Sequence, residues 1–192
     1  MNIQPITLEG RIVRLEPLAL HHAEALAQVA APEIFTAYTY APEYTPDGLR
    51  KLIEFHLNSD RIAFAKILRE TNQAVGVTTY LEINPQFRHL EIGHTWIGKA
   101  YQGTQVNPES KYLLLRHAFE FLGTIRVQFK TAGTNFRSQR AIEKLGAKKE
   151  GVLRKHRILY TGEIDDSILY SILDDEWPAV KAGLETRLGY RP

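Results

Sequence analysis

Apolar and polar positions alternate at the start of the chain. From Leu8 to Leu18, Ile12, Arg14 and Glu16 oppose Val13 and Leu15 until Pro17 ends the run, which predicts a strand. The spacing then changes. Ala and Leu dominate His21 to Ala31, predicting a helix stopped by Pro32. A loop from Pro32 to Pro46 carries Phe35, Tyr38, Tyr40 and Tyr44, and Leu49, Leu52, Ile53 and Leu57 mark a second helix from Asp47 onward. Three strands follow: Arg61 to Leu68, Val75 to Ile83 and Leu90 to Ile97. Asn72 turns the chain after the first, and Asn84-Pro85 breaks the second.

The next stretch reads as helix, strand, helix. Asn107-Pro108-Glu109 has the character of a helix start: Asn can cap, Pro fits the first turn, and Glu suits the positive end of the helix dipole. Tyr112, Leu115, Ala118, Phe119 and Leu122 form its apolar stripe and Gly123 ends it. Ile125, Val127 and Phe129 alternate with Arg126, Gln128 and Lys130 in a strand to Thr131. A helix from Asn135 to Gly146 buries Ala141, Ile142 and Leu145. The chain closes with a hairpin, Gly151 to Tyr160 and Ile164 to Leu173, turning at Thr161-Gly162. A terminal helix contains Val180 and Leu184. Early strands in a meander and a later strand–helix–strand crossover predict a mixed, mostly antiparallel sheet flanked by helices, of the α/β or α+β class.

Composition narrows this only a little. A length of 192 residues, 44% hydrophobic and 24% charged, suits one domain spanning 1–192 with a real core. Lack of cysteine excludes disulfides, thiol nucleophiles and zinc–thiolate sites, and no metal site is expected. A formal charge of +2 is too mild to argue for nucleic acid as a direct partner, and the basic cluster from Arg154 to Arg157 reads as a solvated strand face. No long uncharged apolar run calls for a membrane, and no signal-like segment opens the chain, so a cytoplasmic location is expected.

Four segments carry a resemblance. Leu8 to Leu18 (LEGRIVRLEPL) looks like the first strand of the RimJ/RimL-like branch of the GNAT N-acetyltransferase superfamily, the branch of the ribosomal-protein N-terminal acetyltransferases. Leu90 to Ile97 (LEIGHTWI) resembles the family's fourth strand. Tyr101 to Glu109 (YQGTQVNPE) stands where its pyrophosphate loop belongs, and Asn135 to Ser138 (NFRS) with Leu145-Gly146 resembles its next helix. The resemblance covers nearly the whole chain. It implies the GNAT fold, acetyl-CoA as cosubstrate without a metal, an amine acceptor (a small molecule or a protein N-terminus), and a monomer or homodimer.

It also implies a site. A strand that ends in a loop and opens a helix offers unpaired N–H groups and a positive dipole end to a diphosphate. Gln102, Gly103, Thr104, Gln105, Val106 and Asn107 occupy that place, although Gln105 and Asn107 replace small residues of the family pattern. The Trp96 and Ile97 backbone corresponds to the family's pantetheine edge, Asn135 to a pantetheine contact, and Arg137 and Arg140 to the exit of the CoA nucleotide. Acetyl transfer needs a base for the amine and a proton for the departing thiolate. Glu91 is the first candidate base; the competing assignment is a structural carboxylate paired with Arg88 or a neighbouring strand. His94 is the second, because imidazole titrates near neutrality. Strict alternation places it across the sheet from Glu91 unless a bulge intervenes. Ile142 stands where many family members carry an acidic tyrosine, so the leaving-group role passes to Ser138, with a plain surface serine as the alternative. Phe35, Tyr38, Tyr40, Tyr44, Asp165 and Asp166 are candidates to border the acceptor. A second reading of the chain is a catalytically silent acyl-CoA-binding module.

Overall fold

In a computed structural model, residues 3–190 are described, and eight strands form one sheet in the order β1-β2-β3-β4-β5-β6-β8-β7. The strands are β1 (Leu8–Glu9), β2 (Val13–Pro17), β3 (Ile62–Leu68), β4 (Gln73–Asn84), β5 (His89–Ile97), β6 (Arg126–Ala132), β7 (Lys148–Ile158) and β8 (Ile164–Leu173). The helices are α1 (Ala23–Val29), α2 (Pro32–Phe35), α3 (Pro46–Leu57), α4 (Val106–Arg116), α5 (Phe136–Glu143) and α6 (Trp177–Leu188). All neighbouring strands are antiparallel except β5 and β6, which the α4 crossover joins in parallel. The expected mixed, mostly antiparallel α/β sheet is present.

Two apolar clusters cover the sheet. Leu26 of α1, Phe35 of α2, and Leu49, Leu52 and Ile53 of α3 pack with Ala65, Val77 and Trp96. Leu113 to Leu115 of α4, Ile142 of α5 and Leu184 of α6 pack with Val13, Phe64, Leu90 and Val127.

Several elements differ from the sequence expectation, each for a local reason. The first expected strand is a short hairpin, β1–β2, with Leu8 opposite Leu15. Glu109, fully buried on α4, bends the intervening turn by accepting the N–H groups of Arg11 (3.0 Å), Ile12 (2.8 Å) and Val13 (2.7 Å). Gly10 makes room, since an added Cβ would lie 2.5 Å from the Val13 carbonyl oxygen and 2.6 Å from Glu109 Oε2. Glu109 is therefore a clamp for a distant turn rather than a partner of its own helix end. Asn107 is not the cap either: α4 begins at Val106, and Asn107 Oδ1 accepts from Lys66 Nζ at 2.9 Å. Pro32, expected as a stop, also starts α2, where its missing N–H costs nothing. Helix α4 continues as a π turn over His117–Phe121 before Gly123 ends it at φ +65°.

Candidate active site

Strand β5 creates the site. His94 adopts φ +44°, and between Thr79↔Gly93 and Val77↔Trp96 one residue of β4 faces two of β5. This bulge re-aims the strand. On its other side β5 pairs with β6 only from His89↔Arg126 to Glu91↔Gln128, and beyond Glu91 the two strands diverge. The β6-facing backbone edge of residues 92–97 thus lacks a strand partner. The bulge meets the condition under which Glu91 and His94 can share a site, and both line a cavity of about 540 Å³ at the divergence.

Glu91 sits where the strands part and is 3% exposed. Its Oε2 accepts from Gln128 Nε2 at 3.0 Å and lies 3.4 Å from Lys130 Nζ, both on β6; Arg88 is not its partner. Oε1 makes no hydrogen bond among the described residues and faces Gly93, where an added Cβ would approach it to 3.1 Å. Burial raises the Glu91 carboxyl above its ordinary value, against the opposing pull of Lys130 and Gln128. His94 stacks on Tyr40 with ring centroids 5.5 Å apart, and meets His56 edge-on at 5.5 Å. Burial, then the charges of Arg61, His56, Arg157 and Lys130, push it down to about 3. The imidazole is therefore neutral across the physiological range and does not titrate near neutrality.

The donor side runs from the open edge of β5 to α4 and α5. Trp96 is buried with its indole N–H unpartnered among the described residues, and Gln102 Nε2 donates to the Ile97 carbonyl at 3.2 Å. Gly103 takes φ +79°, and the N–H groups of Gly103, Thr104 and Gln105 enter no backbone hydrogen bond outside the helix. Thr104 Oγ1 ties the turn by donating to the Tyr101 carbonyl at 2.7 Å, and Gln105 Nε2 reaches the Arg187 carbonyl at 3.4 Å. Val106 points into the core. Asn135 caps α5 by accepting from the Ser138 N–H at 3.0 Å; Ser138 Oγ, at the cavity wall beside Ile142, makes no hydrogen bond among the described residues. Arg137 reaches across to Gln102 Oε1, joining α5 to the loop. Arg140 is exposed and outside the cavity wall. The free N–H groups and open glycine fit a diphosphate, whereas the inward turn of Asn107 leaves its side chain to Lys66.

Of the expected acceptor-side residues, Tyr38 and Tyr40 line the cavity, while Phe35 is core and Tyr44 packs against it. Tyr38 Oη donates to the Thr95 carbonyl. Asp165 and Asp166 hold protein groups instead of facing the cavity: Asp165 accepts from the Thr134 hydroxyl at 2.8 Å, Asp166 from the Lys155 N–H at 2.8 Å. The expected solvated face from Arg154 to Arg157 is corrected in part. Between Leu153↔Ser167 and Arg157↔Asp165 the β7–β8 register shifts, with Lys155 at φ +51°, and this turns His156 and Arg157 to the cavity.

Two lysines were not among the sequence candidates. Lys111 of α4 lies under the divergence, buried, and donates to Thr95 Oγ1 at 2.8 Å. Burial, reinforced by the charge of Lys66, lowers it well below the lysine range. Lys66, fully buried, is brought down to about 7 by burial. Their signal was a lysine inside the apolar run Ile62 to Leu68 and another one position before Tyr112 of the buried stripe.

Residues 13–148 match the family model described as an acetyltransferase (GNAT) domain. The chain belongs to the GNAT acetyltransferase family. A crystal structure described as a putative acetyltransferase from T. thermophilus is 45% identical, with a TM-score of 0.91, over 98% of this chain and all (100%) of that one. The "Uncharacterized N-acetyltransferase p20" of Bacillus licheniformis is 24% identical over 176 residues, 89% of this chain and 98% of that protein. A structure described as a "putative ribosomal-protein-serine acetyltransferase from Vibrio cholerae" is 22% identical with a TM-score of 0.75, over 89% and 99% of the two chains, and shares the GNAT fold. The enzyme is thus an acetyltransferase built on the GNAT sheet, with its divergence between β5 and β6.

Proposed function

We propose that the enzyme transfers an acetyl group from acetyl-CoA to a primary amine, both bound in the β5–β6 divergence. The observation that carries this reading is the free β5 edge over residues 92–97, with the unbonded Oε1 of Glu91 at its root. Acetyl-CoA supplies an acetyl carbon activated as a thioester. The amine nitrogen bonds to that carbon, the carbon–sulfur bond breaks, the amine loses one proton and the thiolate gains one, leaving an amide and CoA. The chain supplies three things for this exchange.

Glu91 takes the amine proton at Oε1. Burial raises its carboxyl above the ordinary value, which makes it a stronger base than an exposed carboxylate, while Lys130 and Gln128 at Oε2 favour the ionised form. The β5 backbone around Trp96 and Ile97 holds the pantetheine arm and offers N–H groups to the carbonyl oxygen as charge develops there. Ser138, whose backbone N–H is held by the Asn135 cap, donates an Oγ hydrogen bond that steadies the departing thiolate in place of the tyrosine that Ile142 replaces, and the thiolate takes its proton from solvent. The loop N–H groups of Gly103, Thr104 and Gln105 take the diphosphate at the start of α4, and Arg137 guards the mouth. His94 is a wall of the acceptor pocket, not the base.

The test is thiol release from acetyl-CoA with a panel of small amines and peptides. Turnover with at least one acceptor is expected, and Glu91→Gln should lower kcat by about a hundredfold or more while the KM for acetyl-CoA changes little. Equal kcat in the variant rejects Glu91 as base. CoA binding without turnover across the panel replaces this reading with the silent acyl-CoA-binding module.

A further inference from the structure

The acceptor side of the cavity has an unusual charge balance. Arg61, Lys130 and Arg157 line it against Glu82 and Glu91. Lys130 is committed to Glu91. Arg61 forms no ion pair among the described residues. Its guanidinium lies over the Phe55 ring, 4.9 Å from the centroid, and its Nη1 is buried without a hydrogen-bond partner among the described residues. Arg157 donates Nε to Ser167 Oγ at 2.9 Å and likewise has no ion pair among the described residues. A buried guanidinium N–H that binds nothing is costly, so this one calls for a water or a ligand group to accept from it. The downward push on His94 from Arg61 and Arg157 shows the same positive field at that wall. Such a field disfavours an acceptor whose only charge is its ammonium group.

At the acceptor end the Tyr160 N–H donates to the Tyr38 carbonyl at 2.9 Å, bridging the β7–β8 turn to the aromatic loop. The cavity of about 540 Å³ must hold the acyl end of the donor as well.

Resting on the amine-acetylation reading above, we infer that the acceptor is a small amine bearing its own carboxylate, an amino acid or close analogue, whose carboxylate is bound by Arg61 and Arg157. Lys130 has Glu91 and Arg157 has the nearby Asp165 carboxylate, which leaves the Arg61 guanidinium with a buried, unused donor, and a guanidinium presents paired donors to a carboxylate. Binding the carboxylate there leaves the amine free to lose its proton towards Glu91.

The test uses the whole enzyme with acetyl-CoA and measures thiol release for each natural amino acid, its carboxamide, its decarboxylated amine, O-phosphoethanolamine and short peptides. At least one amino acid should exceed its own amide in kcat/KM by about tenfold or more, the worth of a charge-assisted hydrogen bond in a desolvated site. Arg61→Met, which retains the contact with Phe55, should bring that acid-to-amide ratio to within about twofold, and Arg61→Lys should restore part of it. Arg157→Gln provides a second variant if Arg61→Met does not fold, with the ratio again expected to fall. A loss of packing alone would slow acid and amide together and leave the ratio unchanged, which would overturn the assignment. Amides, decarboxylated amines, peptides or the phosphate-bearing amine turned over as well as or better than every amino acid would also overturn it, while leaving amine acetylation standing. No turnover with any member of the panel overturns amine acetylation itself, and this inference with it.

Discussion

Replacing Glu109 by Gln removes the charge from a carboxylate that receives three backbone N–H groups of the β1–β2 turn and the Tyr190 hydroxyl. The amide keeps the volume but has one acceptor oxygen, and its NH2 must face a donor. With its oxygen in the place of Oε2 it keeps the N–H groups of Ile12 and Val13, and the bond from the Arg11 N–H is lost. Each hydrogen bond to a charged group contributes roughly 1.5–3 kcal/mol, so the loss is about 2 kcal/mol. That is a sizeable part of the roughly 5–15 kcal/mol that stabilises an ordinary domain. In urea, with a slope of about 2 kcal/mol per molar, the midpoint should fall by about 1 M. The assay is equilibrium unfolding followed by tryptophan fluorescence, since Trp96 and Trp177 are both buried. A midpoint shift below about 0.3 M would refute the reasoning, because it would mean that the turn finds other acceptors at no cost.

Lys66 links stability to alkaline pH. Its pKa falls from 10.5 in the unfolded chain to about 7 in the folded one, so between those values the unfolded chain holds a proton that the folded chain lacks. Stability should therefore rise with pH across that window, and Lys66→Met should flatten the rise seen in urea midpoints measured from pH 7 to pH 10; equal slopes would contradict the burial argument. Glu91 links activity to acid pH. Its carboxyl is raised, so kcat should climb with pH through a midpoint above 4.5, and Glu91→Gln should remove that limb from the pH–rate profile.

The sequence pattern was most informative where one face of an element is buried. Strand β8 spans Ile164–Leu173 as expected, and Asn135 does cap α5. It was least informative where a distant residue decides local geometry. Nothing within Leu8 to Leu18 signals that Glu109 will fold it into a hairpin, and nothing near Asn107 announces Lys66. The site divides in the same way. Glu91, Ser138 and the start of the loop at Gln102 share one cavity because strand order places them there. The field around His94 was hidden, for it comes from Arg61, Lys130 and Arg157 on three other strands or strand ends. Irregularities had the largest effect: the bulge at His94 and the register shift before Arg157 re-aim side chains that strict alternation would place elsewhere.

Whether the β5–β6 divergence receives the acyl donor is tested most directly by a crystal structure of the enzyme with CoA. Pantetheine should be hydrogen-bonded along the β5 edge at residues 92–97, with the diphosphate on the N–H groups of Gly103 to Gln105 and the sulfur within reach of Ser138 Oγ. CoA bound elsewhere, with β5 and β6 still open to solvent, would contradict this placement.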